Sequence, residues 1–201
     1  MKSLNINQNI CCDYLKKDVL MRIFLLLFIL LLPGLPLTVQ ASTVNTKVAY
    51  TYNTLTGDVR NLSKKYPDLI TYHSLTTTSY GRKIWAIKLG NGDTSILLHG
   101  AHHAREWMTS ALLMKMLETY ADAYENNKTI RGINPAILDN VSIWFVPMVN
   151  PDGVTLQQYG AYAFPAYIHA GLLEMNKGSY NFTRWKANLQ GIDLNRQYPA
   201  G

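Results

Sequence analysis

His103 and Glu106 stand three residues apart in the stretch Leu98-His99-Gly100-Ala101-His102-His103-Ala104-Arg105-Glu106-Trp107. An apolar run ends there, a glycine turns the chain, and a helical pattern begins. At the start of a helix a spacing of three puts both side chains on one face. An imidazole and a carboxylate so placed can bind one zinc ion, which takes a third protein ligand and keeps one position for water. The C-terminal end of a strand is also where α/β sheets place their ligands. H-x-x-E alone is weak evidence, because surface His/Glu pairs of this spacing are common.

Three further stretches add to it. Val149-Asn150-Pro151-Asp152-Gly153 follows a strongly apolar run, Arg184-Trp185-Lys186 comes next, and Gly191-Ile192-Asp193-Leu194-Asn195-Arg196 closes the series. In this order, H-x-R-E-W, N-P-D-G and G-x-D-x-N-R resemble the zinc carboxypeptidase family, peptidase M14. The resemblance runs from about Tyr50 to Gly201. Within the family, residues 102–110, 142–153, 184–188 and 193–199 are most similar to the bacterial branch that cleaves γ-D-glutamyl-meso-diaminopimelate bonds of peptidoglycan.

The resemblance implies roles residue by residue. His103 and Glu106 match the first two zinc ligands, so the implied cofactor is Zn2+. Arg105 matches an arginine that contacts substrate. Asn195 and Arg196 match the pair that grips a terminal carboxylate, a task for which a planar guanidinium fork is suited. Lys186 stands where the family has an arginine that polarises the scissile carbonyl; a lysine supplies charge without the fork. The family's third zinc ligand and catalytic glutamate fall beyond Gly201, so no catalytic residue is assigned within this sequence, and the C-terminal part of the domain is expected to be missing. Of the remaining candidates, His102 is one step out of register with Glu106 and is read as a packing or supporting histidine. His99 is read as a core or supporting residue of its strand, and Asp152 as the shaper of a turn.

The expected substrate is a peptide with a free carboxylate near the cut bond, first of all a peptidoglycan stem peptide. The expected chain is incomplete and inactive alone. A general secreted metallocarboxypeptidase is the alternative within the family. A non-catalytic remnant that binds carboxylates is the alternative from another class, and the presence of both visible zinc ligands argues against it.

These residues need a scaffold, and the sequence supplies an α/β pattern. Tyr52, Leu55, Val59, Leu62 and Tyr66 repeat at helical spacing up to Pro67. Strands are predicted at 69–75, 84–89, 95–99 and 141–148, the last two covered on both faces. Residues 106–125 form the clearest helix, and Ile137-Leu138 closes a shorter one. Residues 157–184 read as a long loop region. The expected architecture is a mixed sheet covered by helices, of the zinc carboxypeptidase kind.

Composition bounds the rest. The 201 residues are 48% hydrophobic and 16% charged, a globular balance. The net charge of +6 is mild, no run of basic residues occurs, and no nucleic-acid partner is implied. Residues 1–41 read as a secretory signal peptide: Lys16, Lys17 and Arg22, a ten-residue apolar run at 23–32, then Val39-Gln40-Ala41. Ten residues span about 15 Å as a helix, half of a bilayer core, so a stable membrane anchor is not expected. Cleavage is placed after Ala41, with Met21 as an alternative start, and residues 42–201 form the N-terminal portion of the catalytic domain. The product is expected to be secreted or wall-associated. Both cysteines, Cys11 and Cys12, precede that site, which leaves residues 42–201 without a thiol or disulfide.

Overall fold

In the computed structural model, the described residues are 42–199. The apolar run at 23–32 and its cleavage site lie outside them. Helix α1 spans Tyr52–Lys65. The Thr51 hydroxyl caps it by accepting from the Thr54 N–H, and Lys64 and Lys65 oppose the partial negative charge of its last turn. Its inner stripe holds Leu55, Val59 and Leu62, as the spacing predicts, together with Asp58, which the spacing does not. Among the described residues no helix is long and apolar enough to cross a membrane.

The sheet has four strands, β1 (Ile70–Thr77), β2 (Lys83–Leu89), β3 (Thr94–His99) and β4 (Val141–Val146), in the order β1-β2-β4-β3. β1 and β2 form an antiparallel hairpin, β2 pairs antiparallel with β4, and β3 pairs parallel with β4. Helix α2, Met108–Glu125, presents Ser110, Ala111, Met114, Leu117 and Ala121 to the interior. Its apolar residues share one core with α1 and with Ile87, Leu89 and Phe145 of the sheet. Their burial supplies most of what holds the layers together, at roughly 25 cal/mol per Å² of apolar surface removed from water.

Two expectations are corrected. β3 is not covered on both faces: it is the edge strand, with Ile96 51% and Leu97 59% exposed. An apolar run specifies burial only if an element packs on each side, and among the described residues none covers the outer face of β3. Residues 157–184 are not simply a loop. They hold the end of helix α3 (Pro151–Tyr159), two 3-10 turns and helix α4 (His169–Met175). Leu156, Ala161, Phe164, Leu172, Phe182 and Trp185 gather there into a second, smaller core. Its elements are too short for periodicity to reveal.

Candidate active site

The two parallel strands β3 and β4 end side by side, and the site is built on the segments that leave them. Pairing persists past the strand ends: the Gly100 N–H donates to Val146 O, the Val149 N–H to Gly100 O, and the Asn150 N–H to Ala101 O. Ala101 takes a left-handed φ of 50°, a conformation that costs a non-glycine residue roughly 1 kcal/mol. It is held there because its N–H donates to the Thr109 hydroxyl, at 2.8 Å, while its carbonyl accepts from Asn150. The Thr109 hydroxyl in turn donates to Glu106 O. The bend that delivers His102 and His103 is therefore tied both to β4 and to the first turn of α2. Between them, Ala104–Glu106 forms a 3-10 turn, so α2 starts two residues later than Glu106.

That turn brings the predicted pair together. His103 Nδ1 lies 3.1 Å from each carboxylate oxygen of Glu106. Two ligands about 2.05 Å from a tetrahedral zinc would stand roughly 3.3 Å apart, so the donors of this pair, now joined by a hydrogen bond, lie close to the separation such a metal would need. The far nitrogen, Nε2, lies 3.0 Å from Asp193 Oδ1. A histidine backed by a carboxylate on one ring nitrogen, with the other aimed at an acidic ligand, is the usual arrangement of a zinc-binding imidazole. Asp193 belongs to the G-x-D-x-N-R stretch, but sequence reasoning gives it no role. Burial pushes its carboxyl up, and the hydrogen bond and charge of His103, the Asn195 N–H and Arg196 together hold it below the ordinary range. Among the described residues, no three His, Cys, Asp or Glu side chains converge on one point where they could hold a metal ion.

Asn150 organises the surroundings. It caps α3 by accepting from the Gly153 N–H at 3.0 Å, with Pro151 in the first helical turn. Its amide donates to His102 O and to Ala187 O, both at 3.0 Å, and approaches Lys186 O at 3.4 Å. Gly153 has to be glycine here: a β-carbon would lie 2.5 Å from the Asn150 amide and 2.6 Å from Ala187 O. The N-P-D-G stretch is thus a clamp between the His103 bend and the segment carrying Lys186. Asp152 lies in the first turn of α3 and pairs with Arg82 at 2.8 Å, which docks the β1–β2 hairpin onto that helix.

The segment after Arg184 is fastened to the bend a second time, through backbone. The Ala104 N–H donates to Lys186 O and the Arg105 N–H to Trp185 O. The Lys186 side chain is exposed, and Arg105 is half-buried on the 3-10 turn. Asn195 and Arg196 lie on a further 3-10 turn, Leu194–Arg196, whose N-cap is Asp193. The Arg196 side chain is 83% exposed and reaches Asp193 at 3.6 Å, a loose contact that leaves its guanidinium free to bind. Because the cap of that turn is the carboxylate touching His103, the substrate-binding candidates and the metal-binding candidates are joined through one residue.

His102 is buried, as a packing histidine would be. Its Nε2 lies 2.5 Å from the Tyr198 hydroxyl. Burial, then the proximity of His99 and His103, lowers its pKa and favours the neutral ring. His99 is not a core residue. It stands exposed at the end of β3, edge-on to His102 at 4.6 Å and stacked on Tyr198 at 6.5 Å.

Known proteins share this fold and resemble this sequence. Residues 56–201 match the family described as Zinc carboxypeptidase, Peptidase_M14. The chain is 38% identical over 163 residues to Gamma-D-glutamyl-L-diamino acid endopeptidase 1 of Lysinibacillus sphaericus, covering 78% of this chain and 39% of that protein. It is 30% identical over 145 residues to a zinc carboxypeptidase of Saccharothrix mutabilis subsp. capreolus, covering 66% of this chain and 28% of the relative. A crystal structure of thrombin activatable fibrinolysis inhibitor superposes with a TM-score of 0.55 at 14% identity, over 74% of this chain and 32% of that one. A carboxypeptidase A homologue from Shewanella denitrificans gives 0.52 at 22% identity, over 75% and 32%. The chain belongs to the zinc carboxypeptidase family, peptidase M14, whose members are zinc metallopeptidases, and it has that family's mixed-sheet fold. It spans less than half the length of the curated relatives it matches.

Proposed function

We propose that this chain carries the first half of the active site of a zinc peptidase that acts on peptidoglycan stem peptides at the γ-D-glutamyl–diaminopimelate bond. The observation that carries the reading is the His103–Glu106 pair, set for a metal on one side and backed by Asp193 on the other. In the whole protein, His103 Nδ1 and the Glu106 carboxylate would hold the zinc, together with a third ligand that the described residues do not supply. Zinc, when bound, supplies Lewis-acid polarisation of the reacting carbonyl.

The chain's own residues do the rest of the positioning. Asp193 accepts the Nε2 proton of His103 and so fixes Nδ1 as the metal-facing nitrogen. Arg196 and Asn195 receive the substrate's free carboxylate, the arginine through a two-pronged hydrogen bond. Arg105 and Lys186 place positive charge beside the scissile bond, where a carbonyl oxygen gains negative charge during hydrolysis. The wall-peptide substrate is supported by the 38% identical relative, whose name specifies a γ-D-glutamyl-L-diamino acid bond. Export through residues 1–41 would place the enzyme beside that polymer.

The test uses the full-length protein. It is incubated with a purified stem tripeptide and, separately, with a blocked dipeptide ending in an apolar residue, and products are followed by mass. Cleavage of the tripeptide with the dipeptide untouched is expected. Efficient release of the apolar residue with the tripeptide intact would assign a general carboxypeptidase instead.

A further inference from the structure

The segment that precedes α1 is fastened to the molecule by a buried carboxylate that the active site does not use. Glu118 lies on the inner side of α2 and is 4% exposed. Its Oε1 accepts from the Thr43 N–H at 2.5 Å. Its Oε2 accepts from the Ser42 hydroxyl at 2.7 Å, the Val44 N–H at 3.3 Å and Lys115 Nζ at 2.8 Å. Ser42 is exposed, whereas Val44, two residues on, is 2% exposed within the main core. The chain therefore passes from solvent to core over three residues, and Glu118 meets each of them. A glutamate on a buried helix face is costly unless it is fully paired. Here three of the four hydrogen bonds come from residues 42–44, and Lys115 supplies the fourth together with the charge.

The first of those residues is also the first after the Val39-Gln40-Ala41 sequence. A cut one or two residues further along would remove donors and leave Glu118 buried with fewer partners than it needs. A cut after Ala41 spares every contact and turns the Ser42 amide into an α-ammonium, one residue short of the Thr43 N–H already bound to Oε1. A carboxylate oxygen has about two acceptor positions; Oε2 is crowded by three hydrogen bonds, whereas Oε1 carries one and keeps a position open. We propose that Glu118 is the receptor for the processed N-terminus of the chain: cleavage between Ala41 and Ser42 creates an ammonium group that docks at Glu118 Oε1 and locks residues 42–44 onto α2. The inference does not depend on the metal or on the substrate.

The charged and titratable groups around the carboxylate fit this. Lys115 is its only cationic partner among the described residues; it is 41% exposed and also donates to the Ser42 hydroxyl at 2.6 Å, so it belongs to the same cluster that the new ammonium would join. Asp58 and Tyr50, on and before α1, also face it. Burial pushes the Glu118 carboxyl up, but Lys115, Ser42 and the Thr43 N–H more than offset this and keep it ionised at neutral pH, as an ammonium receptor has to be.

The test starts from the exported product of the gene with its own residues 1–41. Mass spectrometry is expected to show a chain beginning at Ser42; a chain that begins at any other residue overturns the proposal. The Ser42 amine is then acylated at neutral pH and its rate compared with that of a free peptide of residues 42–47. A charge-paired ammonium has a raised pKa, and one unit slows acylation about tenfold. Slowing of about tenfold is expected, and a rate equal to the peptide's refutes docking. Glu118→Gln is expected to restore the peptide rate; a folded variant that stays slow also refutes it. If that variant does not fold, the wild-type sequence carrying Ala41 as its first residue replaces it. It is expected to melt several degrees below the form that begins at Ser42, and equal melting temperatures count against the proposal.

Discussion

The two halves of the candidate site are held in different ways. The half that carries His103 and Glu106 is set by backbone. Its bend continues the pairing of two parallel strands, is clamped by the buried Asn150 amide, and is bonded twice to the Trp185–Lys186 segment. The half that carries Asn195 and Arg196 is one exposed 3-10 turn, held to the histidines by two side chains, Asp193 and Tyr198. The half proposed to face the metal therefore resists movement, while the half proposed to face the substrate can adjust at the cost of two hydrogen bonds. Ligand separation at a metal tolerates only tenths of an ångström, whereas a flexible carboxylate clamp accepts a range of substrates.

If the first half depends on its clamp, Asn150 is where it breaks. Asn150→Asp changes one group, but it puts a carboxylate opposite the carbonyls of His102 and Ala187, where the amide now donates. With the buried donor lost and a charge left unpaired, stability in the whole protein is expected to fall by about 3 kcal/mol or more. Zinc should be lost with it. The urea midpoint and zinc content after dialysis measure both. A variant that keeps stoichiometric zinc would show that the bend does not need the clamp.

Asp193 sharpens the comparison from the other side. Asp193→Ala removes the acceptor that orients His103 but leaves the bend's backbone bonds in place. Zinc affinity is expected to drop about 10- to 100-fold, with the melting temperature of the metal-free protein little changed. Competition with a chelator gives the first value and a thermal scan the second. A large fall in metal-free stability with affinity intact would invert the assignment of the two halves.

Arg196→Lys tests the clamp alone. The substitution keeps the charge and loses the fork, so KM for a substrate with a free terminal carboxylate is expected to rise about tenfold, equivalent to roughly 1.4 kcal/mol. The kcat should move less, and zinc content should not change. Steady-state kinetics on the stem tripeptide and its amidated form separate the cases. The variant and the unaltered enzyme should differ on the free acid and behave alike on the amide; equal effects on both substrates would place the arginine elsewhere.

The same contrast explains what the sequence could reveal. The His103–Glu106 spacing and the strand that leads into it were legible because residue type, spacing and the strand–turn–helix order all depend on neighbouring residues; the parallel pairing of that strand with β4 was not. The amphipathic stripes of α1 and α2 were legible for the same reason. Asn150 and Asp193 were visible only as members of their motifs. Their partners Ala187 and His103 lie 37 and 90 residues away, and no local period carries such information. The exposure of β3 was missed because Ile96-Leu97-Leu98 states a demand for cover without saying whether cover is present. The small core under residues 161–189 was missed because its helices and turns run for only three to seven residues. The N-terminal contact at Glu118 shows a further limit. In the sequence Glu118 falls in the polar stripe of its helix with Lys115, Asp122 and Glu125, which gives no sign that it is buried or that residues 42–44, more than seventy positions earlier, will satisfy it.

The smallest expected effect belongs to the second tie, Tyr198. Tyr198→Phe removes the hydroxyl bound to His102 Nε2 and keeps the ring that stacks on His99. Tyr198 is 53% exposed, so water can replace the lost partner on its side. The His102 side chain has no hydrogen bond to His103 or Glu106, and its carbonyl stays clamped by Asn150. The change is therefore expected to cost about 0.5–1 kcal/mol of stability. Zinc affinity should shift by less than about threefold, well below the Asp193 effect, because His103 keeps both of its carboxylate neighbours. The turn at 194–196 would lose one of its two ties and keep the other, so KM should rise only slightly, while kcat holds. A chelator titration beside that of Asp193→Ala measures the difference. Equal losses of zinc in the two variants would mean that His102 and Tyr198 orient His103 as strongly as Asp193 does, and that the exposed turn, not the backbone clamp, fixes the metal-binding half.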